Sequence, residues 1–178
     1  MMGRVTSFLR GFARKENGSL VVEFALGVPL IFTIFMTSVE MGVYSTRQMW
    51  LDRGLDVTIR QVRLSTGDPD SHDELKDMIC EQAGFLPQCD TTLWLEMIPV
   101  DIRNFSGFGA TADCVDISEP VTPLRQFVNG AEHQLMLLRA CYRFEPVFPT
   151  TGLGKEFAKD GSGRVNMISY SAFVQEPS

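Results

Sequence analysis

Two histidines in 178 residues, and four cysteines without a single CxxC pair, leave this sequence poor in metal-site chemistry. Cys80, Cys89, Cys114 and Cys141 are separated by 8, 24 and 26 residues, and neither His72 nor His133 completes a zinc set. No serine stands in a nucleophile-elbow sequence, which removes a common hydrolase signature. Gly107-Phe-Gly109 and Gly152-Leu-Gly154 lack the strand, turn and helix setting of a phosphate-cradling loop. Asp68-Pro-Asp-Ser-His-Asp-Glu has neither the ordered ligand spacing nor the central glycine of an EF-hand, and reads as a solvated acidic helix start. Positive charge is scarce as well: 16 Lys+Arg against 22 Asp+Glu give a net charge of -6, which argues against a nucleic-acid binder that works by neutralising phosphates. The expectation is a chain that is no enzyme and holds no cofactor or metal.

What the sequence does have is segregated. Residues 1–18 carry Arg4, Arg10, Arg14 and Lys15 against Glu16, so the remainder is strongly acidic. Between the two lies Leu20–Val39, LVVEFALGVPLIFTIFMTSV, with Glu23 as its only ionisable group. As a helix this run reaches about 30 Å, the thickness of a bilayer's hydrocarbon core. The cluster Arg4, Arg10, Arg14 and Lys15 on its N-terminal side sets the orientation: N-terminus in the cytoplasm, residues from about 41 onward outside. A secretory signal peptide fits less well, because the run is long and no small-x-small cleavage signal follows it. Glu23 is the anomaly, since an ionised carboxylate in hydrocarbon costs several kcal/mol unless it is paired or reaches the interface. Cleavage after Gly18 would create an α-amino cation at Ser19, one helical turn from Glu23 or against a neighbour's carboxylate.

These residues carry a resemblance. Gly18-Ser-Leu-Val-Val-Glu23-Phe24, then Ala25-Leu26, Pro29-Leu30 and Glu40-Met41-Gly42, resemble the start of the TadE-like minor pseudopilins of the tight-adherence (Flp-type) pilus system, a branch of the type IV pilin superfamily. The resemblance extends to Leu51-Asp-Arg-Gly-Leu-Asp56, Glu96-Met-Ile-Pro-Val-Asp101 and Phe144-Glu-Pro-Val-Phe-Pro149. It implies processing by a membrane prepilin peptidase after Gly18, with Ser19 and Phe24 completing the processing site. It further implies a role in subunit assembly for Glu23, with Pro29 beside it in the same helix. The implied partners are that peptidase, other pilin-like subunits, the inner-membrane assembly platform and membrane lipid.

Beyond the apolar run, Met41, Tyr44, Met49, Leu51, Leu55, Ile59 and Val62 recur at mostly three- and four-residue steps, while Arg47, Asp52, Arg53, Asp56, Arg60 and Arg63 occupy other faces. That pattern continues the helix amphipathically to about residue 65, with Pro29 expected to kink it and Gly54 to weaken it. A Pro29 kink would leave the Ala25 carbonyl seeking Thr33 or a neighbouring helix. Thr66-Gly-Asp-Pro-Asp-Ser-His is a turn, and Ser71 or Asp70 caps a short helix Asp73–Ala83 ending at Gly84. Thr92–Val100 alternates as a half-buried strand, 103–123 reads as an exposed loop and 122–129 as a short helix. Leu135–Phe144 is β-compatible with Arg139 and Arg143 outward, helix being the runner-up; 148–154 is a turn, and Arg164–Gln175 a terminal strand. Phe105, Phe108, Phe127, Phe148 and Phe157 are expected in the core or an interface.

The fold class is therefore α+β: a long N-terminal transmembrane and stalk helix on a small antiparallel sheet, the general pilin plan. Its parts are a basic cytoplasmic leader (1–18), a transmembrane helix (19–40), its amphipathic continuation (41–65) and an extracytoplasmic head (66–178). An even cysteine count outside the membrane suggests two disulfides. Of three possible pairings, Cys80–Cys89, closing the loop after the short helix, and Cys114–Cys141, tying the long loop to a strand, are preferred. The expected product is a single-pass inner-membrane subunit with a periplasmic head, pilus-associated after assembly. The alternative is a singly anchored exported binding protein that never enters a pilus.

Overall fold

A computed structural model of the chain describes residues 19–64, 71–109, 112, 114 and 127–176. The expected leader with Gly18, the turn at 66–70 and most of the 110–126 stretch, with the first part of the helix expected at 122–129, lie outside them.

Helix α1 (Ser19–Leu64) runs for 46 residues, about 70 Å, through both Pro29 and Gly54. Within its apolar half the hydroxyls turn back on the helix. Thr33 Oγ1 donates to the Pro29 carbonyl at 2.8 Å, Thr37 Oγ1 to Thr33 at 2.8 Å and Ser38 Oγ to Ile34 at 2.9 Å. This corrects the expectation that Thr33 serves Ala25: a hydroxyl reaches one turn back, and Ala25 lies two turns away.

The second half of α1 is the spine of the head. Its buried stripe is Leu51, Leu55, Thr58, Ile59 and Val62, extended toward the N-terminus through Tyr44 to Glu40. Met41 and Met49, expected on that stripe, are exposed, and Met49 lies about 160° around the helix from Leu51. Helix α2 (His72–Gln82) crosses at Gly54; it is capped by Ser71 Oγ, which accepts from the Glu74 amide at 3.2 Å. A Cβ on Gly54 would stand 2.8 Å from the Ile79 carbonyl oxygen and 3.0 Å from Ala83 Cβ, so the glycine that weakens the helix locally is what lets the two helices touch. Gly54→Ala should lower stability by about 1–3 kcal/mol of overpacking, against its roughly 1 kcal/mol gain in helix propensity. The urea midpoint measures the balance, and an unchanged or raised midpoint would show that the helices separate freely.

After the single turn α3 (Cys89–Thr92), strands β1 (Leu93–Val100), β2 (Leu135–Phe144) and β3 (Val165–Val174) form an antiparallel sheet in the order β1-β2-β3. Leu95, Ala140 and Ser169 share one cross-strand row. The inner face sets Leu95, Met97, Met136, Leu138 and Met167 against the stripes of α1 and α2. Helix α1 also reaches β3: Gln48 Nε2 donates to the Ile168 carbonyl at 3.3 Å, and Ser169 Oγ to Asp52 Oδ1 at 2.6 Å. The chain is α+β, a long apolar N-terminal helix packed against a small three-stranded sheet, consistent with a pilin-like fold.

The outer face departs from expectation. Strand β1 is covered on both sides, with Trp94 and Glu96 buried, and so are Arg139 and Arg143 of β2. Phe108 lies over the Arg139 guanidinium at 4.5 Å, the Gly109 carbonyl accepts from Arg139 Nη1 at 3.1 Å, and Cys114 is bonded to Cys141. The described part of the long loop therefore folds back as a lid on polar residues. Phe127 and Val128 are extended, correcting the helix expected there: Val128 donates to the Met97 carbonyl at 3.0 Å on the free edge of β1, where an acceptor wants a donor. Phe105 is exposed, whereas Phe108, Phe127, Phe148 and Phe157 are partly buried. The turn expected at 148–154 leads into a short helix, α4 (Gly152–Glu156).

Candidate functional site

The first half of α1 carries the largest exposed apolar surface of the described residues. Leu20 is 79% and Phe24 70% exposed, and Val22, Leu26, Leu30, Ile31, Ile34 and Phe35 are uncovered as well. This is the one helix among those described that is long and apolar enough to cross a membrane, and the head buries none of its apolar stretch. A surface of this extent in water would drive association or insertion. Glu23 is exposed within it, and Pro29 lies further along the same stretch. Ser19 is the first residue of the helix.

The stem meets the head in a collar formed by residues 144–157. Gly152, at φ +55°, approaches so closely that a Cβ there would stand 2.9 Å from Thr37 Oγ1. One turn on, Glu40 is only 1% exposed. Its Oε1 accepts from the Val147 amide at 3.1 Å and its Oε2 from the Phe148 amide at 2.8 Å. Tyr44 then stacks on Phe157, with centroids 5.5 Å apart, and tilts against Phe144 at 5.8 Å. Arg47 lies over the Phe144 ring at 5.1 Å and donates from Nη1 to the Glu145 carbonyl at 3.1 Å. Four residues spaced about one turn apart thus hold one loop, and Glu40 is the acidic member.

Sequence reasoning missed this role of Glu40. The signal was present: residues 40, 44, 47, 51 and 55 follow the helical period, so a stripe extended backward from Leu51 ends on the carboxylate. An acidic residue on an apolar stripe is a demand for donors, which the two amides meet.

The head's other charged groups are structural in placement. Glu96 and Arg139 form a two-pronged pair, Nε to Oε2 at 2.5 Å and Nη2 to Oε1 at 2.7 Å, with both residues 2% exposed. Burial alone would lower the Arg139 pKa, but hydrogen bonding to Glu96 and Tyr170 and the charge of Glu96 hold it above the ordinary value. Burial pushes the Tyr142 phenol up, against the pull of Arg47 and Arg164; its hydroxyl donates to the Pro87 carbonyl at 2.8 Å. His72 is buried, edge-on to Trp94 at 5.0 Å, and its Nε2 accepts from the Leu95 amide at 3.4 Å. Among the described residues no group of three or more His, Cys, Asp or Glu could hold a metal ion. The bridges are Cys80–Cys89, which ties α2 to α3, and Cys114–Cys141, which ties the loop to β2. All four cysteines belong to the head, apart from Ser19, Glu23 and Pro29 on the stem.

Comparison with curated proteins and with solved structures returns no match. A family model described as TadE-like protein matches residues 18–60. The matched segment holds the exposed stem, Glu40 and most of the helical stripe that the head packs on. Over residues 18–60, about a quarter of its length, this chain is similar to the TadE-like family.

Proposed function

We propose that the chain is a minor pseudopilin, an assembly subunit of a tight-adherence (Flp-type) pilus, cleaved after Gly18 by a prepilin peptidase and incorporated through the stem of α1. The observation that carries this reading is the uncovered apolar stem with one exposed carboxylate at Glu23, starting where the family match starts. Residues 1–18 are then the cytoplasmic leader, 19–40 the inner-membrane span, 41–65 its continuation and 66–178 the periplasmic head. In this reading Gly18, Ser19 and Phe24 form the processing site and Pro29 belongs to the assembly surface. A lone helix in lipid cannot leave an ionised carboxylate uncompensated without a cost of several kcal/mol. The α-amino group released at Ser19 by cleavage is the matching cation, on the same chain or on a neighbour. Pairing between neighbours fixes their register, so the peptidase, the assembly platform and other pilin-like subunits are the partners.

Glu23→Ala tests the assembly role. The variant should insert and be processed, because its stem is more apolar than before, yet it should be lost from sheared pili and from crosslinks to other pilin-like subunits. Normal incorporation of Glu23→Ala would remove the role from that residue. A Gly18 substitution should instead block processing.

A further inference from the structure

The arginines nearest the stem converge on one cavity of about 280 Å3. Arg47 comes from α1, Arg143 from β2 and Arg164 from the residue before β3, and Tyr142, Glu145 and Val147 complete the part of the lining that matters here. Three guanidiniums meet two carboxylates. Asp160 is taken by Arg143, while Glu145 reaches Arg164 only at 3.6 Å with its side chain 72% exposed. Arg47 Nε and Arg164 Nη1 are buried and have no hydrogen-bond acceptor among the described residues. A buried guanidinium N–H without an acceptor is costly, so the cavity combines a positive balance with donors that an anion would satisfy.

Its height along the stem says which anion. The apolar run ends at Val39, and Val147 at the lip of the cavity donates to Glu40, the next residue. Arg47 is about 10 Å further along the helix axis. The polar headgroup layer adds roughly 5–8 Å beyond the hydrocarbon on each side, so the cavity rises from the level of that layer. Its lip is apolar and half exposed at Val147, and its interior is lined with forked donors whose planar geometry suits phosphate oxygens.

We infer that this cavity binds the phosphate headgroup of an anionic phospholipid in the outer leaflet of the membrane that the stem enters. The inference rests on the membrane reading of the stem and adds a lipid site on the head. Occupation would satisfy Arg47 and Arg164 and hold the head down on the bilayer until the subunit leaves it.

The test is lipid retention by the full-length chain, reconstituted in nanodiscs of phosphatidylcholine alone or mixed equally with phosphatidylglycerol, then released and weighed by native mass spectrometry. Wild type should keep phosphatidylglycerol over phosphatidylcholine by about tenfold, the size of one or two charge-assisted contacts. Arg47→Gln and Arg164→Gln should each reduce that preference several-fold, to roughly 2–3-fold, with both disulfides intact. Equal retention of the two lipids by wild type would overturn the site whatever the variants do. Saturable binding of inorganic phosphate in lipid-free detergent, without any lipid preference, would assign the cavity to a free anion and overturn the lipid. Failure to enter either nanodisc would instead overturn the membrane reading, and the site with it.

Discussion

Glu96→Leu or Arg139→Met alone should destabilise the head by about 3–5 kcal/mol, while the two combined should recover most of that loss. Each single change leaves one buried member without its partner, at 2% exposure and with little water to replace it. The double change removes both desolvation penalties and puts aliphatic side chains beneath Phe108, which now lies over the Arg139 guanidinium at 4.5 Å. Against a typical domain stability of about 5–15 kcal/mol, either single variant forfeits a large fraction of the total. Urea unfolding of the full chain in detergent, followed by the fluorescence of buried Trp94, reads the three variants on one scale. Additive losses, with the double variant worse than either single, would show that the pair is not an isolated charged unit.

Glu40→Ala should have the next largest effect, and a local one. It strands the Val147 and Phe148 amides, now bonded at 3.1 and 2.8 Å, at a cost of about 2–4 kcal/mol for two hydrogen bonds to a charged acceptor in a partly buried site. Because Gly152 on Thr37 and Tyr44 on Phe157 flank this contact, the whole collar from 144 to 157 should loosen from the stem. Hydrogen exchange should speed up at Val147 and Phe148 while Leu75 and Ile79 of α2 keep their protection. Unchanged protection at Val147 would mean that the collar is held by its aromatic contacts alone.

How far the sequence could be read follows from which forces act locally. The helix from Ser19 to Leu64, the Ser71 cap and the strands from Leu93 and Leu135 are set by periodicity and capping chemistry, and are legible without tertiary contacts. The outer face of the sheet was not. Arg139 and Arg143 alternate like solvent-facing residues, and their burial depends on Glu96, Phe108 and Asp160, which lie far away in sequence. Gly54 was misleading for a related reason: local propensity weighs against a helical glycine, whereas the crossing of α2 needs its missing Cβ. Of the candidate site, Glu23 announces itself because a carboxylate in an apolar run has no local explanation. Glu40 sits at the boundary of that run and passes for an ordinary interfacial residue until the loop that donates to it is in place. Cysteine spacing left three pairings open, and the bridges of the structure join Cys80 to Cys89 and Cys114 to Cys141.

The central claim is that this chain is a processed membrane subunit whose working N-terminus is Ser19. The most direct measurement is the intact mass of the protein extracted from membranes of cells with an active prepilin peptidase. The account predicts a chain beginning at Ser19, and the full-length mass when Gly18 is substituted; a wild-type chain that keeps residues 1–18 would contradict it.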